Sequence, residues 1–196
     1  MPSTIRAVAI TEFEFTVDNI GLEQAAAGVG NMAYVKGGKF KARRFAVRIS
    51  TDDGVDGEYV AHWVGTPATL AQACMLAPLL VGRNADQREK IYDDMKRELR
   101  AYDHMGHGVL DNALWDLAGK KLGTSVAALL GGFKDRLPTY ASTYHAQESP
   151  GGLDTPEAFA DYAQQCKEQG FHGFKIHGWN NGDVAREVRN VLGVRA

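Results

Sequence analysis

Apolar and polar positions alternate from Ile5 to Val17, with many β-branched residues, and this predicts a strand. Phe45, Val47 and Ile49 alternate with Arg44 and Arg48, the mark of a half-buried strand. Asp52-Asp53-Gly54 then supplies a tight turn, because Asp and Gly tolerate positive φ, and Val55 to Val64 returns as a second hairpin arm. The front of the chain is therefore expected to hold a small antiparallel sheet. Between the first two strands, Asp18 to Lys39 carries glycines at 21, 28, 30, 37 and 38 and no period. It reads as a long loop, of the kind that serves as a lid or binding loop or is simply surface chain.

A helical period follows. Thr66-Pro67 reads as a cap with proline at the first helical position, and the helix runs to about Val81 before Gly82. Asp86 to Tyr102 places Ile91, Met95 and Leu99 four residues apart on one buried stripe. Gly108 to Leu122 is the most apolar helix, with Leu110, Leu114 and Leu117 on one face and Gly123 at its end. His104 and His107 have a spacing open to metal ligation. Gly106 between them argues against regular helix, no third ligand is evident, and a pair of loop histidines is the favoured reading.

The pattern changes after Leu137. Leu137 to His145 reads as a strand, and Asp154-Thr155-Pro156-Glu157 opens a helix that reaches Gln169 and stops at Gly170. Phe171 to Trp179 reads as a second strand, and Gly182 to Leu192 as a second helix. Strand–helix–strand–helix with short connections signifies a parallel sheet or barrel. The chain thus divides near Gly131-Gly132, into residues 1–131 and 132–196.

The second of these strands carries the candidate chemistry. Side chains alternate across a strand, so Phe171, Gly173, Lys175 and His177 share one face while His172, Phe174 and Ile176 share the other. The Phe174/Ile176 face suits packing under a helix. The opposite face sets an ammonium beside an imidazole at the strand's C-terminal end, an arrangement that can yield a neutral base near pH 7. A Lys-x-His pair on a solvated strand face is the plain alternative.

Composition excludes several classes. The 196 residues are 44% apolar and 23% charged with net charge −2, so no basic field points to nucleic acid or to a membrane surface. No apolar run is long enough to span a bilayer, and Met1 to Arg6 lacks the apolar core of a signal peptide, which points to the cytoplasm. Cys74 and Cys166 lie far apart in helical segments and read as reduced, buried thiols.

Four runs, in order, carry a resemblance: Leu110-Asp111-Asn112-Ala113-Leu114-Trp115-Asp116-Leu117-Ala118-Gly119-Lys120, then Leu129-Leu130-Gly131-Gly132, then Tyr140-Ala141-Ser142, then Phe174-Lys175-Ile176-His177. Together they resemble the enolase superfamily, in its mandelate racemase and muconate lactonizing enzyme branch, which includes the acid-sugar dehydratases. The resemblance implies an α+β capping domain, an antiparallel sheet plus helices, followed by the first part of a TIM-like (β/α) barrel that is incomplete in this chain. Barrel chemistry sits at the C-terminal ends of the strands, where Lys175 and His177 fall. The resemblance implies removal of a proton α to a carboxylate of a small molecule such as a sugar acid, with Mg²⁺ stabilising the enediolate. It assigns Lys175 and His177 as catalytic, with Lys175 as electrostatic partner or carboxylate contact. It gives Ser142 and Tyr34 as substrate contacts, the latter within a lid formed by the glycine-rich 18–39 segment.

The sequence departs from the family in two places. Many members carry Lys-x-Lys on the second barrel strand, and here the second position is His177, either the base itself or a substrate contact. The family's metal ligands belong to strands that these residues do not include, so the chain alone is expected to be inactive, a truncated non-catalytic scaffold being the alternative reading. Val194-Arg195-Ala196 falls where a third strand is expected to begin. An unclosed barrel exposes a strand edge and an apolar helix face, and self-association into a homo-oligomer is the expectation.

Overall fold

The computed structural model describes residues 3–24, 30–62, 66–148, 150–179 and 182–195. The elements are β1 (Ile5–Gln24), β2 (Gly30–Thr51), β3 (Asp56–Val60), α1 (Thr66–Leu80), α2 (Arg88–Glu98), α3 (Met105–Leu122), α4 (Val126–Leu129), β4 (Ala141–His145), α5 (Pro156–Glu168), β5 (Phe174–His177) and α6 (Val184–Arg195). They form two compact units, one of Met1–Phe15 with Ala42–Asp135 and one of Thr16–Lys41 with Arg136–Ala196. The second unit also takes in the 16–41 stretch.

That stretch is the main correction to the expected architecture. Asp18 to Lys39 is not an irregular loop: its described residues belong to β1 and β2, which run on as the two arms of a long ribbon. Two of its glycines answer to crowding across the ribbon. A Cβ on Gly21 would stand 2.8 Å from Val35 Cγ2, and one on Gly38 would stand 2.9 Å from the Ile20 carbonyl oxygen. Gly28, and the Val64 end of the expected hairpin arm, lie outside the described residues.

In the first unit β2 and β3 pair antiparallel, with Val47 opposite Tyr59 and Ile49 opposite Gly57. The Asp52-Asp53-Gly54 turn joins them, Gly54 at φ +82°. Phe45, Val47 and Ile49 point into one core with Leu76 and Leu80 of α1, Ile91 and Met95 of α2, Leu99 just beyond it, and Leu110, Leu114 and Leu117 of α3. Each such large apolar side chain withdrawn from water contributes about 1.5–3 kcal/mol. Helix α3 lies directly on β3. Asp116 Oδ2 accepts from the Glu58 backbone N–H at 2.8 Å, and Lys120 Nζ donates to the Asp56 carbonyl at 2.9 Å while pairing with Asp116 at 2.8 Å. Part of the Asp111–Lys120 run is thereby explained as a clamp between helix and strand.

Helix α3 begins at Met105, earlier than the sequence suggests, with His104 as its cap residue and His107 in its first turn. Gly106 is not a breaker there. A Cβ on it would stand 2.3 Å from Gln72 Cβ, so it lets α1 and α3 approach, and its N–H donates to Gln72 Oε1 at 2.7 Å. His107 Nδ1 lies 3.0 Å from the His104 carbonyl oxygen. Cys74 is exposed on α1, contrary to expectation, whereas Cys166 is buried.

An ionic group ties the turn to the helices. Lys121 Nζ lies 2.6 Å from Asp86 Oδ1 and 3.4 Å from Asp53 Oδ2. The Lys121 hydrogen bond holds the Asp86 carboxyl below its ordinary value of 3.8. Burial favours neutral Lys121, yet the Asp86 hydrogen bond and charge prevail and raise its pKa. A carboxyl depressed in the fold stabilises above its unfolded pKa and loses that contribution as pH falls through the folded one. Stability should therefore hold through neutral pH and decline below about pH 4. Lys121→Met is expected to lower it by about 1 kcal/mol or less at pH 7. In thermal melts from pH 7 to pH 2 the variant should converge on the wild type, and parallel curves would contradict this account.

In the second unit β4 and β5 are parallel, joined through α5, and β2 lies on the other side of β4 with Ala33 opposite His145. Thr155 caps α5, its hydroxyl accepting from Ala158 N–H at 3.1 Å, with Pro156 at the first helical position. Phe159, Trp179, Leu153 and Ala146 form the core, and Tyr34, Phe174, Ile176 and Val194 pack against it. Val194 and Arg195 belong to α6, so no third strand begins there. Helix α6 exposes Val184, Val188, Val191 and Leu192. Among the described residues no helix is long and apolar enough to cross a membrane.

Candidate active site

The parallel pair β4–β5 fixes the geometry of the candidate site. Ser142 stands opposite Lys175 and His145 opposite His177, with an irregularity in the ladder between Ser142 and His145. Phe174 and Ile176 are turned to the core of the second unit. Alternation turns Lys175 and His177 the other way; Lys175 is exposed and His177 half-buried. The His177 backbone N–H donates to Thr143 Oγ1 at 3.1 Å, which ties the end of β5 to β4. The His177 ring Nδ1 is buried and has no hydrogen-bond partner among the described residues.

A second imidazole stands beside it. The His145 and His177 ring centroids are 5.5 Å apart in an edge-to-face arrangement at 73°. His145 Nδ1 lies 3.3 Å from the Gly178 carbonyl oxygen, a contact in which Nδ1–H donates. Reading by residue type passed over His145. Its signal was its place as the last residue of the predicted first barrel strand.

Tyr34 and Ser142 come together in a cavity of about 450 Å³, also walled by Asp18, Asn19, Tyr144 and Tyr162. Burial pushes the Tyr162 hydroxyl pKa up, and Cys166 beside it adds to the shift. Lys175 and His177 are not among the walls of this cavity. The four expected residues thus fall into two neighbouring groups, linked through the Ser142–Lys175 pairing.

Residues 31–131 match the family model of the mandelate racemase / muconate lactonizing enzyme N-terminal domain. The chain belongs to this family. Among its curated relatives, a D-galactonate dehydratase of Verminephrobacter eiseniae is 33% identical over 142 residues, covering 67% of this chain and 34% of the relative. An N-succinyl-L-Arg/Lys racemase of Bacillus cereus is 30% identical over 162 residues, covering 76% of this chain and 40% of the relative. The chain therefore spans between a third and two fifths of these relatives' length. A solved D-glucarate dehydratase of Agrobacterium tumefaciens, complexed with magnesium, superposes with a TM-score of 0.80 at 26% identity, over 98% of this chain and 50% of that one. As a member of the mandelate racemase / muconate lactonizing enzyme family, the chain has the capping domain and the opening β/α units of a partial barrel. Among the described residues no group of three or more His, Cys, Asp or Glu is arranged to hold a metal ion. These residues do not fit a magnesium site by themselves.

Proposed function

We propose that this chain supplies the cap and first two barrel strands of an enzyme that removes the proton α to a carboxylate, an acid-sugar dehydratase before a racemase. The observation that carries the reading is the juxtaposition of Lys175 and His177 on the non-core face of β5, with Ser142 and His145 opposite them on β4. The relatives support it, since they include a D-galactonate dehydratase and an N-succinyl-L-Arg/Lys racemase.

The roles follow from chemistry. The Lys175 ammonium contacts the substrate carboxylate and offsets the negative charge that develops when the α-proton leaves. His177 accepts that proton, because an imidazole can be neutral near pH 7 and still basic. Ser142 and Tyr34 contact the substrate's hydroxyl-bearing chain. Magnesium, present in the glucarate dehydratase structure, would be held in the whole enzyme by residues outside this chain and would stabilise the enediolate.

Incubating a panel of sugar acids with Mg²⁺ in D₂O tests the reading. A longer protein that completes the barrel should exchange the α-proton of at least one acid, while the 196-residue chain alone should exchange none. Absence of exchange across the panel with the longer protein would remove the proposal. We also propose that the 196-residue chain by itself self-associates through the exposed apolar face of α6. Sizing chromatography that finds a monomer at all concentrations would count against this.

A further inference from the structure

Gln147 stands just beyond β4 and is 1% exposed. Its side-chain Oε1 accepts a hydrogen bond from the Lys36 backbone N–H at 3.0 Å. Its backbone carbonyl accepts from the Trp179 indole N–H, also at 3.0 Å. One residue thus joins the 34–36 stretch of β2, the end of β4 and the segment after β5.

Gly152 completes the seat. A Cβ there would stand 2.3 Å from Tyr34 Cε1 and 2.7 Å from Gln147 Oε1. The Tyr34 ring therefore rests where only a bare backbone leaves room. The ribbon is irregular at the same level. Asn19 has φ 60° and Gly37 φ +75°, and the Gly37 N–H donates to Asn19 Oδ1 at 2.9 Å. Such irregularities turn backbone donors out of a ladder, and the Lys36 N–H is aimed at Gln147. A buried amide oxygen is costly to leave unpaired, so this bond is a strong local constraint.

We propose that Gln147 is a positioning residue for Tyr34: with Gly152 it sets where the Tyr34 ring stands in the cavity it shares with Ser142, and so which sugar-acid chain fits. The inference rests on the reading of Tyr34 as a substrate contact. Tyr34 does not touch the transferred proton, so the effect belongs to substrate binding rather than to turnover.

Amide hydrogen exchange on the 196-residue chain decides the first half. Gln147→Leu should speed exchange at the Lys36 amide about tenfold, the equivalent of one lost hydrogen bond, and Gln147→Glu, which keeps an acceptor oxygen, should restore protection. The bond from Trp179 runs to the backbone of residue 147, so indole emission should be unchanged in both variants and would report general damage. Equal Lys36 protection in wild type and Gln147→Leu overturns the seat. Steady-state kinetics of the longer protein decide the second half. Gln147→Leu, which removes the acceptor, and separately Gly152→Ala, which crowds the Tyr34 ring and Gln147 Oε1 together, should each raise KM about tenfold with kcat within about twofold. A fall in kcat at unchanged KM overturns the positioning role, and so does an unchanged KM after Lys36 protection has been lost. Failure of every sugar acid as a substrate would strike the proposed function instead, and the exchange result would still decide the seat.

Discussion

Substituting His177 by asparagine in a protein with a complete barrel should lower kcat by about 10²–10⁴-fold, the usual contribution of a positioned base. Asparagine keeps hydrogen-bonding capacity but cannot take up a proton near neutral pH. The fold should tolerate it. The bond from residue 177 to Thr143 Oγ1 comes from the backbone, and the ring Nδ1 has no partner among the described residues to lose. Lys175→Met tests the neighbouring role. If Lys175 both holds the carboxylate and offsets developing charge, KM rises and kcat falls together. If it only binds, KM rises alone. Undiminished α-deuterium exchange by His177→Asn would assign the base to another residue and leave His177 as a substrate contact.

Replacing Gly57 by valine should destabilise the first unit more than any other single change considered. A Cβ at this position would stand 2.1 Å from the Ala113 carbonyl oxygen and 2.6 Å from Leu117 Cβ. The carbonyl belongs to the backbone of α3, which the Asp116 and Lys120 bonds to β3 hold down, so it cannot swing aside as a side-chain tip would. Overpacking of this kind costs about 1–3 kcal/mol. The upper end lowers the midpoint of a chain this size by about 6–12 °C. A shift of less than about 2 °C in a thermal melt would show that β3 moves off α3 freely.

Much of the architecture was legible because burial imposes a period. Phe45, Val47 and Ile49 announced a strand, and Ile91, Met95 and Leu99 a helix, because each set has one side in a core. The face of β5 that carries Lys175 and His177 was legible for the same reason, since Phe174 and Ile176 needed the opposite side. What escaped was set by contacts between distant segments. Gly21 and Gly38 looked like loop residues, yet they make room across a ribbon, and Gly106 looked like a breaker, yet it admits Gln72. Glycine reports only that a side chain is unwelcome; the reason belongs to a neighbour far away in sequence. His145 was hidden similarly, because its value comes from the ring of His177 beside it.

The ribbon has one more implication. Residues 16–41, which include the strand beside β4, belong with the barrel portion although they are encoded ahead of most of the cap. A polypeptide starting at Arg136 would leave that flank of β4 bare, so one cleavage cannot liberate both halves intact. Recombination between relatives would need paired crossovers, one on each arm, to trade the cap while keeping the strand that carries Tyr34.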